Sequence, residues 1–244
     1  MKRTIIIVVA IVVVVAAVAT VIALRGWPRG LVGSGDLETE AYAFSDFTEV
    51  EIGSAFEFEI QQSSSYNISI TADDNVMEYV TVSKDGQTLK IGLRLFHPIG
   101  GHVTLRASVA MPQLRGLTAS GATRGTISGF SSTEDLDIGV SGASRVTGDI
   151  TAGNVVFDIS GASTIELEGS ADNMDATASG ASHLNLDDFV VNNADVNLSG
   201  ASSGTVNLDG RLDANLSGAS NLWYIGEPTM GDIDTSGASA VRKK

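Results

Sequence analysis

Seven serine hydroxyls recur at nearly constant spacing, at Ser120, Ser141, Ser160, Ser179, Ser199, Ser217 and Ser236, each opening a Ser-Gly-Ala triplet followed by Ser or Thr. A serine becomes a nucleophile only beside a general base that is itself oriented by an acid. The three histidines, His97, His102 and His183, lie far apart, and His183 sits at an outward position, as a solvated surface side chain does. No Gly-x-Ser-x-Gly elbow is present. Repeated serines without a repeated base argue for a structural role.

A second periodic set is acidic. With each triplet serine numbered zero, position −4 is Asp137, Asp175, Asp195, Asp213 or Asp232 in five of the seven units, and position −2 includes Asp158, Asn197, Asn215 and Asp234. Asp175, Asp195 and Asp213 fall in three consecutive units. Stacked carboxylate and amide oxygens suit weak Ca²⁺ binding. The preferred reading is a solvated acidic face that keeps strand edges from aggregating, and the calcium nonapeptide G-G-x-G-x-D is missing. Polysaccharide cleavage would need acids converging with a basic side chain in a groove, for instance Asp137 or Asp158 with Arg145. Arg124, Arg145 and Arg211 are scattered in the sequence and no long insertion interrupts the units.

These side chains must be carried by the repeat itself. The triplets are separated by 21, 19, 19, 20, 18 and 19 residues. Positions −5, −3 and −1 are apolar, as in Leu136, Ile138, Val140 and in Val155, Phe157, Ile159, and apolar residues resume at +5 and +7, as in Ile165 with Leu167. Period 2 on both sides of a small-residue corner gives two short strands per unit, each burying one face. The period and the β-branched content exclude helices, and units of this length are too short for propeller blades of about 40 residues. The expected fold is an all-β parallel β-helix of about 19–20 residues per coil with strands roughly 4.8 Å apart. The structural repeat glycines Gly121, Gly142, Gly161, Gly180, Gly200, Gly218 and Gly237 share the parity of the buried positions and are expected at tight inward corners. Hydroxyls at +3 are expected to link coil to coil.

In chain order, residues 1–25 begin with Lys2 and Arg3 and continue through an unbroken apolar run from Thr4 to Leu24, long enough to span a membrane as a transmembrane helix. The alternative is a secretory signal cleaved near Ala17-Val18-Ala19. Residues 26–37 are rich in Gly and read as a flexible linker. Residues 38–115 are strand-rich first coils or a β cap, and 116–244 form the regular β-helix. Beyond residue 25 there remain 12 basic against 29 acidic residues, which disfavours nucleic acid as a partner. The absence of Cys removes disulfides, thiolate metal sites and cysteine nucleophiles. Trp223-Tyr224 either stacks on a sugar or closes the end of the solenoid.

The run Phe44-Ser45-Asp46-Phe47-Thr48-Glu49-Val50-Glu51-Ile52, the phrase Gly53-Ser54-Ala55-Phe56-Glu57-Phe58-Glu59-Ile60 and the recurrent Ser-Gly-Ala-Ser resemble the putative auto-transporter adhesin, head GIN domain family. The resemblance covers about residues 33–240. It implies a right-handed parallel β-helix, exported or membrane-anchored, and brings no catalytic residues. The expected function is therefore a non-enzymatic, membrane-anchored extracytoplasmic module for adhesion or envelope interaction, with a protein or glycan ligand and no cofactor. The alternative is a carbohydrate-binding or polysaccharide-cleaving protein on the same scaffold.

Overall fold

The structure is a computed structural model that describes residues 30–94 and 99–244. The apolar run of residues 1–25 and His97 lie outside the described residues. Among the described residues no helix is long and apolar enough to cross a membrane.

Each regular coil contributes one strand before its Ser-Gly-Ala corner and one after it, giving two ladders of parallel strands. Face 1 stacks β8 (Gly116–Ala119), β10 (Leu136–Val140), β12 (Asn154–Ile159), the second half of β13 (Thr164–Ala178), the second half of β14 (His183–Leu198), β16 (Arg211–Leu216) and β18 (Thr229–Thr235). Face 2 stacks β9 (Arg124–Ser131), β11 (Arg145–Thr151), the first halves of β13 and β14, β15 (Ser203–Leu208), β17 (Asn221–Ile225) and β19 (Ala240–Lys243). The apolar positions before the corners, from Leu136 to Leu216, face inward, and Ile127, Val146, Ile165, Leu184, Val206 and Leu222 meet them from the other ladder at full burial or close to it. Burying a Leu, Ile, Val or Phe side chain contributes about 1.5–3 kcal/mol, so the stacked interior is the principal source of stability.

The chain does not enter this stack at its end. β2 (Glu49–Ile52) pairs with β8 on one side and with β6 (Thr88–Leu93) on the other. Likewise β3 (Glu57–Gln62) lies between β9 and β7 (Leu105–Met111). The coil made by β6 and β7 is thus outermost in space although it follows β2 and β3 in sequence. Antiparallel strands finish that end: β4 (Asn67–Asp73) on β7, β1 (Leu37–Tyr42) on β4, and β5 (Val80–Asp85) on β6 through a turn at Gly86. Asp74 opens the short helix α1 (Asp74–Met77) directly after β4.

The corner glycines differ from expectation in one respect. They are exposed rather than inward, and all seven have φ between 73° and 80°. A Cβ on Gly161, Gly180, Gly200, Gly218 or Gly237 would lie 2.3–2.5 Å from the carbonyl oxygen of the glycine one coil earlier. Glycine is required here by the left-handed backbone and by backbone stacked on backbone, not by crowding against the interior.

Candidate functional site

The +3 hydroxyls are buried at Thr123, Ser144, Ser163, Ser182, Ser202 and Ser220. Several of the +3 hydroxyls link coil to coil: Thr123 Oγ1 donates to Ser144 Oγ at 3.1 Å, the Ser144 amide donates to Ser163 Oγ at 3.3 Å, and Ser239 Oγ donates to the Leu216 carbonyl at 3.1 Å. The hydroxyl also closes its own corner: Ser144, Ser182, Ser202, Ser220 and Ser239 each donate to the carbonyl of the triplet serine three residues earlier, at 2.7–2.9 Å. These oxygens are consumed in the turn and face no base. His183 is exposed, its Nδ1 lying 2.6 Å from Ser203 Oγ.

Face 1 carries the acids. Asp175, Asp195 and Asp213 are in register on adjacent strands, yet they are not equivalent. Burial first, and then the charges of Asp195 and Asp158, raise the Asp175 carboxyl above its usual range. Asp213 is held below it, because Arg211 donates Nε and Nη2 to its two oxygens at 2.6 Å each and the amide of Asp232 adds a bond at 2.7 Å. Arg211 thus ends the run of facing carboxylates, and the repulsive set is Asp158, Asp175 and Asp195. Among the described residues no group of three or more His, Asp or Glu converges as metal ligands do. Among the described residues, shallow troughs on this face include the following two. One of about 540 Å³ runs among Glu49, Glu51, Arg115, Asp137, Val156 and Asp158, and one of about 400 Å³ lies among Asp195, Asn197, Asp213, Asn215, Asp232 and Asp234. Arg145 is on the other face, 3.3 Å from Glu166, so it joins neither Asp137 nor Asp158. It is in register with Arg124, which sequence spacing had left isolated from it.

Two polar arrangements went unnoticed in the sequence. Position −6 forms an amide ladder: Asn154 Nδ2 donates to Asp135, Asn173 to Asn154 and Asn193 to Asn173, at 2.8–2.9 Å, and the amide of Arg211 ends the row on Asn193. Its 19- and 20-residue spacing follows the repeat, but it lies just outside the apolar register of positions −5, −3 and −1. The other is Asp73, only 3% exposed, whose oxygens accept the amides of Gly35 at 2.8 Å and Thr104 at 2.7 Å. These amides hold its carboxyl below the usual range. With Ser34 bonded to Asp74 and Asn75, they fasten residues 33–36 to the cap.

A family model described as putative auto-transporter adhesin, head GIN domain matches residues 46–228. The chain belongs to that family. Solved structures show the same fold at low sequence identity. A putative adhesin from Bacteroides fragilis superposes with a TM-score of 0.83 at 21% identity, covering 88% of this chain and 100% of that one. A putative lipid binding protein from Parabacteroides distasonis gives 0.70 at 21% identity, covering 87% and 98%. A putative adhesin from Parabacteroides merdae gives 0.67 at 19%, covering 89% and 100%. No curated protein matches at a significant level. This head GIN domain therefore has relatives named as adhesins and none among these named as an enzyme.

Proposed function

We propose that this chain is a membrane-anchored, extracytoplasmic interaction module that displays its two strand ladders to a protein or glycan partner and performs no chemistry on it. The observation that carries this reading is the pair of continuous faces: row after row of outward hydroxyl, amide and carboxylate side chains on a rigid stack, with the serine hydroxyls turned into the corners. The adhesin names of the relatives support it. The unbroken apolar run from Thr4 to Leu24, preceded by Lys2 and Arg3, supports attachment with the N terminus inside. Cells producing the full chain should retain it in the membrane fraction with residues 5–24 present by mass spectrometry, and external protease should reach the coils. A mature N terminus near Thr20 would overturn the anchor and leave a secreted module. For the interaction itself, beads coated with the full chain should adhere to cell surfaces in a saturable way, and loss of that adhesion only on unfolding, not on competition with soluble chain, would overturn the reading.

A further inference from the structure

Trp223 and Tyr224 are neighbours in β17 but lie on opposite sides of the sheet. Tyr224 pairs with Val206 and Lys243 in the inward column and packs on the interior. Trp223 occupies the outward column, opposite Thr205 of the preceding coil and Arg242 of the next. Of the two roles open to this pair, closing the solenoid falls to Tyr224 and leaves Trp223 without one. Beyond Gly116 the phenylalanines Phe130, Phe157 and Phe189 are buried, so among the described residues of these coils Trp223 is the one aromatic side chain directed outward. Its column is otherwise short or polar, running through Thr126, Thr147, Glu166, Asn185 and Thr205. Trp223 is half-buried on this outward column, and a large apolar ring on the outer side of a sheet is informative in a way that one in the interior is not.

The charges beside it are also unusual. Lys243 is paired with Glu227 and Lys244 with Asp187. Arg242 instead donates Nη1 to Asn221 Oδ1 at 2.8 Å and has no carboxylate within salt-bridge distance among the described residues. Arg242 is therefore an open cation, oriented by an amide, next to an outward indole. An indole face gains dispersion and hydrophobic contact from the C–H face of a pyranose ring. A guanidinium offers a planar fork to a carboxylate. The hydroxyl of Thr205 and the amide of Asn221 can exchange hydrogen bonds with ring hydroxyls.

We propose that Trp223, Arg242, Asn221 and Thr205 form a subsite on face 2 for a hexuronate unit of an acidic polysaccharide. The proposal names a ligand class for the displayed faces and rests on that reading. The open sheet suits a polymer lying across the strands. The overall negative charge of the chain does not forbid it, because Glu227 and Asp187 are paired with Lys243 and Lys244, and charges more than about 8 Å away are screened at physiological ionic strength.

The test uses the full chain in mild detergent carrying Trp27→Phe, so that Trp223 is the only fluorescent indole. Titration with an oligogalacturonate should change its emission saturably, and calorimetry should show binding that weakens with added salt and is roughly tenfold tighter than for a neutral cello-oligosaccharide of equal length. Trp223→Ala should abolish binding by calorimetry, Trp223→Tyr should retain it, and Arg242→Gln should reduce it to the neutral level, each with an unchanged melting temperature. No binding to either sugar, equal binding to both, or oligogalacturonate binding that survives Trp223→Ala overturns the subsite. If the subsite fails while coated beads still adhere to cells, the interaction module stands without this ligand; if adhesion fails as well, both readings fall.

Discussion

Each coil turns twice, and the two bends obey different rules. At the Ser-Gly-Ala corner the backbone ladder continues without interruption: the alanine amides of residues 162, 181, 201, 219 and 238 donate to the glycine carbonyls of the preceding coils at 2.7–2.8 Å. At the opposite bend the register slips. One residue, Val206, opposes the four from Leu186 to Phe189, and two residues in β13 oppose three in β14. Coil lengths from 18 to 21 residues are thus reconciled at the second bend while the first stays in register. Sequence is strict where main chain rests on main chain, and free where a bulge can absorb a residue.

The strongest way to break this contrast is a branched side chain at the strict corner. Gly180→Val forces a β-branched residue into φ 80° with its Cβ 2.5 Å from the Gly161 oxygen. Denaturant unfolding should show a loss of about 2–5 kcal/mol, combining left-handed strain and steric overlap, and hydrogen exchange should rise in the neighbouring coils. Gly121→Ala sharpens the comparison. It shares the left-handed φ, 76°, but its Cβ would approach only the Ser54 amide nitrogen, at 3.3 Å. Its loss should be about 1–2 kcal/mol, the backbone component alone. The neighbouring coil already shows this tolerance, since Ser54 and Ala55 both sit at φ 62°.

At the permissive bend, one Gly inserted between Asp209 and Gly210 lengthens the 18-residue coil to the commonest length. It should cost under about 1 kcal/mol; a loss as large as that of Gly180→Val would show that both bends are equally strict. The smallest effect concerns what the strict corner holds in place. Because register is fixed there, Asp175 and Asp195 are kept facing each other, and Asp195→Asn should stabilise the chain by about 0.5 kcal/mol or less at neutral pH. The gain should shrink on acidification, since a carboxyl with a raised folded pKa destabilises only once it is ionised. Asp73 has the opposite sign. Its lowered folded value contributes stability that is present above the ordinary 3.8 and is lost as pH falls through the lowered value. Melting curves of the wild type and Asp195→Asn between pH 3 and 7 would separate the two.

The inward columns were legible because burial imposes a period of two on Leu136, Ile138 and Val140 and their counterparts, and a period of two survives without any knowledge of neighbours. The glycine column was legible as a position but not as a direction, since parity cannot distinguish an inward corner from a left-handed turn that points out. Arg211 with Asp213 was harder still: residues two apart share a face of a strand, but the bond also depends on Gly231, where a Cβ would lie 2.2 Å from the Asp213 oxygen. Trp223 and Tyr224 could be separated only by register. Asp73 finds its partners 38 and 31 residues away, which no local pattern predicts.

The order of the first strands has a consequence for synthesis. β2 and β3 have no parallel neighbours until residues 88–128 have been made, because both of their partners on each face come later in the chain. The first coil therefore cannot close behind the ribosome as it emerges. A chain built this way stays open through roughly its first half, and coil-by-coil growth toward the C terminus begins only after that knot of early and late strands has been tied.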